Sequence, residues 1–180
     1  IEDNNSKQLS GYFRCKNCNA GGPWENTAEL KMFIFSAVLA PQSNLPVHFG
    51  QIALSDGFEP PYATDGEEHY LQLIHENPEN ALLWNKLGNL YKTGSRPELA
   101  MIAFEKSIAL DPNQLESHVS IANLLLNIKD YKNAISHYHQ MMFSADKYPY
   151  LTDSHLRELL SYGICNSSVS YTHLTLPTKA

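Results

Sequence analysis

One pattern occurs twice in this chain, displaced by 34 residues, and it leaves few folds open. The first copy reads Trp84-x2-Leu87-Gly88-x2-Tyr91 and continues with Ala100, Phe104 and Pro112. Adding 34 puts His118, Ile121, Ala122, Leu125, Ala134, Tyr138 and Asp146 in the same slots. A fixed step of this size marks a supersecondary unit that buries its apolar face by stacking on a copy of itself. Each unit reads as two antiparallel helices. Gly88, Ala100, Ala122 and Ala134 are small enough to let the helix backbones approach, while Trp84, Tyr91, Phe104 and Tyr138 fill the space between helices. Local signals mark the ends. Ser95-x-x-Glu98 has the form of a capping box, with Gly94 before it as a helix stop. Asp111-Pro112-Asn113 breaks the chain between copies, and Asp130 is placed as an N-cap. Upstream, Thr64-x-x-Glu67 opens a helix and Pro78 follows its end.

These residues resemble the tetratricopeptide repeat almost position by position, with Ser107 where a small alanine is usual. The second copy lacks the Trp and the Pro. Subtracting 34 brings Gly66, Tyr70 and Pro78 into register, but the stretch around Gly50 to Gly57 does not read as a helix. The expectation is therefore two full repeats at 81–114 and 115–148 within a region 63–148, with a helix at 64–77 serving as half a repeat or a cap. A terminal helix within 149–167, carrying Leu156, Leu159 and Leu160, would bury the open end. The fold class expected is mainly α: a two-repeat stack with flanking helices, preceded by a small zinc-ribbon-like or β segment. Trp84, Leu87, Tyr91, Phe104, Ile121, Leu125 and Tyr138 are expected in the core.

The resemblance implies a role in holding a protein or peptide against the first helix of each repeat, on the concave face. Side chains placed off the packing face are Asn85, Asn89 and Lys92 in one helix and Glu116, Asn123 and Asn127 in the other. Asn89 and Asn123 are one repeat apart and form a ladder, and an amide both donates to and accepts from a peptide main chain. Part of the family grips a peptide's terminal carboxylate with a Lys/Asn/Arg set, from which Asn85, Ser120 and Ser154 depart.

Residues 1–25 carry a second motif. An aromatic run, Gly11-Tyr12-Phe13, leads into Cys15-Lys16-Asn17-Cys18 and then into small residues. It resembles one half of a zinc ribbon, whose two thiolates occupy adjacent corners of a tetrahedral site. Cys15 and Cys18 would be the metal ligands, and the zinc structural. The next cysteine is Cys165, so the remaining ligands are expected upstream of Ile1, in a longer parent. A thiol redox pair and an incidental pair are the alternatives. Three cysteines make a poor disulfide framework and suit a reducing, cytoplasmic setting. Residues 26–62 form an irregular or β connection: 26–40 is helix or buried strand, 48–55 a strand, and Asp56-Gly57 a turn.

The stretch Val169 to Thr178 resembles a translated sequencing adapter, so 168–180 is expected to be an appendage without core contacts. No phosphate loop, GxSxG, HExxH or GxGxxG is present, and His137 and His139 do not face each other on a helix. The reading is therefore not an enzyme. The formal charge of −6 counts against nucleic acid as a partner, and no apolar run reaches the length of a membrane span. Two alternatives remain: a nucleic-acid-associated regulator in which the ribbon reads and the repeats recruit, or the non-catalytic part of a larger enzyme.

Overall fold

The computed structural model describes residues 12, 14–15, 17–20, 25–39, 53–60, 62–149 and 151–175. Seven α-helices occur among them: α1 (Ala28–Leu39), α2 (Ala63–Glu76), α3 (Ala81–Thr93), α4 (Pro97–Leu110), α5 (Leu115–Asn127), α6 (Tyr131–Ser144) and α7 (Asp153–Thr175), with a 3-10 turn at Ala145–Lys147. No helix among the described residues is long and apolar enough to cross a membrane. The chain divides into two compact units, Ile1–His69 and Tyr70–Ala180.

In the second unit, α3 packs on α4, α4 on α5, α5 on α6 and α6 on α7. The repeat is visible in its turns. After α3, Ser95 takes a left-handed φ of 57°, its N–H meets the Lys92 carbonyl, and the Arg96 N–H meets the Tyr91 carbonyl. After α5, Lys129 does the same at φ 63°, with its N–H on Leu126 and the Asp130 N–H on Leu125. Both are Schellman stops, one repeat apart, with a non-glycine residue in the strained position. The sequence reading put the stop at Gly94, but Gly94 sits one residue earlier with an ordinary φ of −74°. The capping box at Ser95 is also corrected. Pro97 at the first turn of α4 makes Arg96 the cap residue, and Arg96 Nε pairs with Glu98 at 2.8 Å. Pro there needs no N–H and is already set for the helix. Asn80 caps α3 through the Leu82 N–H, and Asp130 caps α6 through the Asn133 N–H. At the start of α2 it is Asp65, not Thr64, whose carboxylate accepts the Tyr62 N–H at 3.1 Å.

Packing follows the small and large slots. A Cβ at Gly88 would come within 2.5 Å of the Phe104 ring, so α3 and α4 meet there directly. Leu87, Tyr91, Phe104, Ile121 and Tyr138 are buried, whereas Trp84 and Leu125 are half-buried. The Trp84 ring N–H donates to the Pro78 carbonyl at 3.2 Å. Burying a side chain such as Phe104, with no exposed surface, stabilises by about 1.5–3 kcal/mol. In the second repeat Leu115, Val119, Ala122, Ala134, Tyr138, Met141 and Tyr148 form one cluster, with Leu156, Leu159 and Leu160 of α7 against it.

Two expectations fail here. The last helix is not confined to 149–167 but runs to Thr175, and the 169–175 stretch is helical and not an extended appendage. Gly163, Ser167 and Ser170 are buried along one helical face, where small side chains let α7 approach α6. A Cβ at Gly163 would meet Met141 Cε at 2.2 Å, and His173 stacks on Tyr131 with ring centroids 4.8 Å apart. Residues 176–180 lie outside the described residues.

In the first unit, 28–39 is helix rather than strand, and no strand occurs among the described residues. The strand expected at 48–55 lies outside them up to residue 52, and 53–55 lead into a turn. There Gly57, at φ 87°, donates to the Leu54 carbonyl and the Leu54 N–H bonds to Phe58. Asp56 reaches His69 Nε2 at 2.6 Å, and Phe58 stacks on the same imidazole at 4.4 Å. Arg14 pairs with the buried Glu67 and with Glu68. The opening turns of α2 thus hold both the 54–58 turn and Arg14, next to Cys15.

Candidate functional site

The six side chains expected to face a partner divide. Asn85 does not face out: it is only 1% exposed, and its Nδ2 donates to Ser117 Oγ at 2.8 Å. From there Ser117 Oγ donates to Ser107 Oγ at 2.9 Å, and Ser107 Oγ to the Ala81 carbonyl at 2.8 Å. This buried chain links α3, α4 and α5, and it explains why Ser107 replaces alanine. The correction to Asn85 has a plain cause: its partner, Ser117, arrives from the next repeat and cannot be seen from the periodicity of α3. Glu116 is half-buried and accepts from the Tyr148 hydroxyl at 3.3 Å. Burial first, and Glu116 second, push the Tyr148 phenol above its usual range.

Asn89, Lys92, Asn123 and Asn127 keep accessible surface. Asn89 and Asn123 are both half-buried, one repeat apart. Asn89 Nδ2 donates to Asn85 Oδ1 at 3.2 Å. Asn123 Oδ1 accepts from two hydroxyls, Tyr138 at 2.6 Å and Tyr162 at 2.9 Å, so α5, α6 and α7 meet at one amide oxygen. The Tyr138 phenol is pushed up by burial and by Tyr162 beside it. Lys92 retains exposed surface, yet desolvation by the surrounding protein pulls its ammonium below the ordinary lysine value.

A histidine pair was not anticipated. His118 Nδ1 and His137 Nδ1 are 3.0 Å apart, and His118 Nε2 meets the Pro112 carbonyl at 3.1 Å. The carbonyl accepts only, so His118 carries its proton on Nε2 and His137 donates from Nδ1. Burial lowers both pKa values, that of His137 to about 4 with a further contribution from His118. The repeat register contains the clue. One repeat earlier these slots hold Trp84 and Ala103, a large and a small residue, and two imidazoles fill the same space.

Cys15 and Cys18 lie on a tight turn. The Asn19 N–H bonds the Cys15 carbonyl at 2.8 Å, the Cys15 N–H bonds Ala20 at 3.2 Å, and Asn19 takes φ 56°. Cys15 is half-buried, and Cys18 and Cys165 are exposed. Among the described residues no group of three or more Cys, His, Asp or Glu side chains is placed to hold a metal ion. Two thiols alone do not fit a tetrahedral structural zinc.

Comparison with known proteins agrees with this geometry. Residues 81–114 match the family model for the tetratricopeptide repeat. A peroxisomal targeting signal receptor of Kluyveromyces lactis is 36% identical over 61 residues, covering 34% of this chain and 11% of the receptor. The receptor of the same description from Candida glabrata is 33% identical over 61 residues, again 34% of this chain, and 10% of its own length. The chain thus spans only about a tenth of these relatives. Among solved structures, the translocator chaperone SycD of Yersinia enterocolitica has a TM-score of 0.55 at 13% identity, covering 84% of this chain and 90% of SycD. PcrH, solved in complex with the chaperone binding region of PopD, has a TM-score of 0.54 at 14% identity, covering 81% of this chain and 90% of PcrH. At such identities the likeness establishes the fold. The chain carries a tetratricopeptide repeat at 81–114 within a helical stack of that kind.

Proposed function

We propose that this chain is a non-catalytic interaction scaffold that binds a peptide or protein partner along α3 and α5. The observation carrying this reading is the pair of matching half-buried amides, Asn89 and Asn123, one repeat apart. Lys92 and Asn127 extend the same faces. Asn85 and Glu116 drop to supporting positions, since the first is sealed in the core and the second is bonded to Tyr148. PcrH in its complex with a PopD region, and receptors named for a targeting signal, are consistent precedents for such use. The test is selection from a random twelve-residue peptide library on phage, followed by calorimetry on the enriched sequences. Enriched peptides should bind, and Asn89→Ala and Lys92→Ala should each weaken them. Absence of enrichment, or equal affinity in both variants, contradicts the proposal.

The tight turn that carries both Cys15 and Cys18 supports a second reading, in which the two thiols supply two ligands of a structural zinc site. In a longer chain that supplies two further ligands, about one zinc per chain should be retained and then lost on Cys15→Ser. A longer chain that folds with no metal overturns this.

A further inference from the structure

His118 and His137 face each other nitrogen to nitrogen between α5 and α6. Their Nδ1 atoms are 3.0 Å apart and their ring centroids 5.3 Å apart. The second distance is nearly the first plus the two ring radii, so both nitrogens lie close to the line joining the rings. His118 is also oriented from behind. Its Nε2–H donates to the Pro112 carbonyl at 3.1 Å, which leaves Nδ1 with a free lone pair aimed at His137. A backbone carbonyl on the far nitrogen is how a metal-ligating imidazole is commonly held in its tautomer.

We propose that this pair is a site for a monovalent, two-coordinate metal ion of the copper(I) class, held in line between His118 Nδ1 and His137 Nδ1. Imidazole nitrogen suits copper. Among the described residues no third Cys, His, Asp or Glu joins the pair. A tetrahedral zinc wants four ligands, whereas a linear ion is complete with two. Charge points the same way. His118 is buried, so a divalent ion would cost more there than a monovalent one, and Asp111 acts on it with the sign that favours a cation. The protons balance without release. The proton on His137 Nδ1 moves to Nε2 of the same ring, and His118 keeps its own. The His137 ring draws back to admit the ion, which its half-buried position permits.

The test uses silver(I), a redox-stable ion of the same class, in chloride-free buffer. The full chain carries Cys15→Ser, Cys18→Ser and Cys165→Ser, so that no thiol competes. In long-range 15N spectra of the imidazoles, Nδ1 of His118 and of His137 should shift together and saturate at one silver per chain. His69, His75 and His155 should stay unmoved over that range. The heat of binding should be the same in two buffers of different ionisation enthalpy. His137→Gln should weaken silver by about tenfold or more, at least the loss typical of an outer-shell partner. His139→Gln, two residues along on the same helix, should leave it unchanged. Other histidines shifting first, net proton release, or equal affinity in the His137→Gln chain overturns the site. Zinc saturating the same two nitrogens as tightly as silver overturns the two-coordinate assignment.

Discussion

Gly88 is the residue with the least freedom in the stack. A methyl group there would meet the flat, fully buried Phe104 ring at 2.5 Å, and neither helix can retreat without opening the core. Gly88→Ala should therefore destabilise by about 1–2 kcal/mol in urea titration, despite alanine's better helix propensity. Gly163 offers the contrast. Its added methyl would collide with the flexible tip of Met141 and meet the Tyr138 ring at an ordinary contact distance of 3.7 Å, so Gly163→Ala should be within about 1 kcal/mol of neutral. If both variants lose the same stability, the account of close approach at Gly88 is wrong. Lys129 is the converse case, an exposed side chain held at φ 63° where glycine is favoured. Lys129→Gly should raise stability by about 1 kcal/mol, and a loss would show that the lysine makes contacts beyond its backbone.

The element most sensitive to conditions is the α5–α6 pair, because His118 and His137 meet between them. The charged groups acting on them are each other and Asp111, which favours the charged form of His118 but does not overcome burial. Both folded pKa values lie below the ordinary histidine value, so the unfolded chain takes up protons that the folded chain resists. Stability is then full above about pH 6.5 and falls as the pH drops toward 4, where His137 titrates in the fold. Urea midpoints measured from pH 7.5 to 4.5 should show this slope, and His118→Gln with His137→Gln should flatten it. An unchanged slope in the double variant would assign the effect to carboxylates instead. The elements themselves were largely legible in the sequence, because the large and small slots recur at a fixed step and the helices are set by them. The turn details were not. Ser95 looked like a cap until Pro97 is seen to fix the first turn of α4. The length of α7 escaped because the residues after 168 read as an adapter-like appendage, whereas Gly163, Ser167 and Ser170 recur at helical spacing and carry the helix along α6.

For the molecule as a whole, the candidate site was half legible. Asn89 and Asn123 follow from the register, whereas Asn85 is removed from the surface by a serine 32 residues away and Glu116 is engaged by Tyr148. Long-range partners of this kind leave no trace in local periodicity. The buried Asn85–Ser117–Ser107 chain predicts that Ser117→Ala costs about 1–3 kcal/mol in thermal or urea unfolding, by leaving Asn85 without its acceptor. A neutral result would mean that the network is not closed. The central claim is that the faces of α3 and α5 bearing the paired amides hold a peptide. The most direct measurement is a 15N-resolved titration of the chain with a phage-selected peptide. Shifts should concentrate at Asn89, Lys92, Asn123 and Asn127 and leave Glu105, Lys106 and Lys132 unmoved. Shifts centred on α4 and α6, with the two asparagines unaffected, would contradict the account.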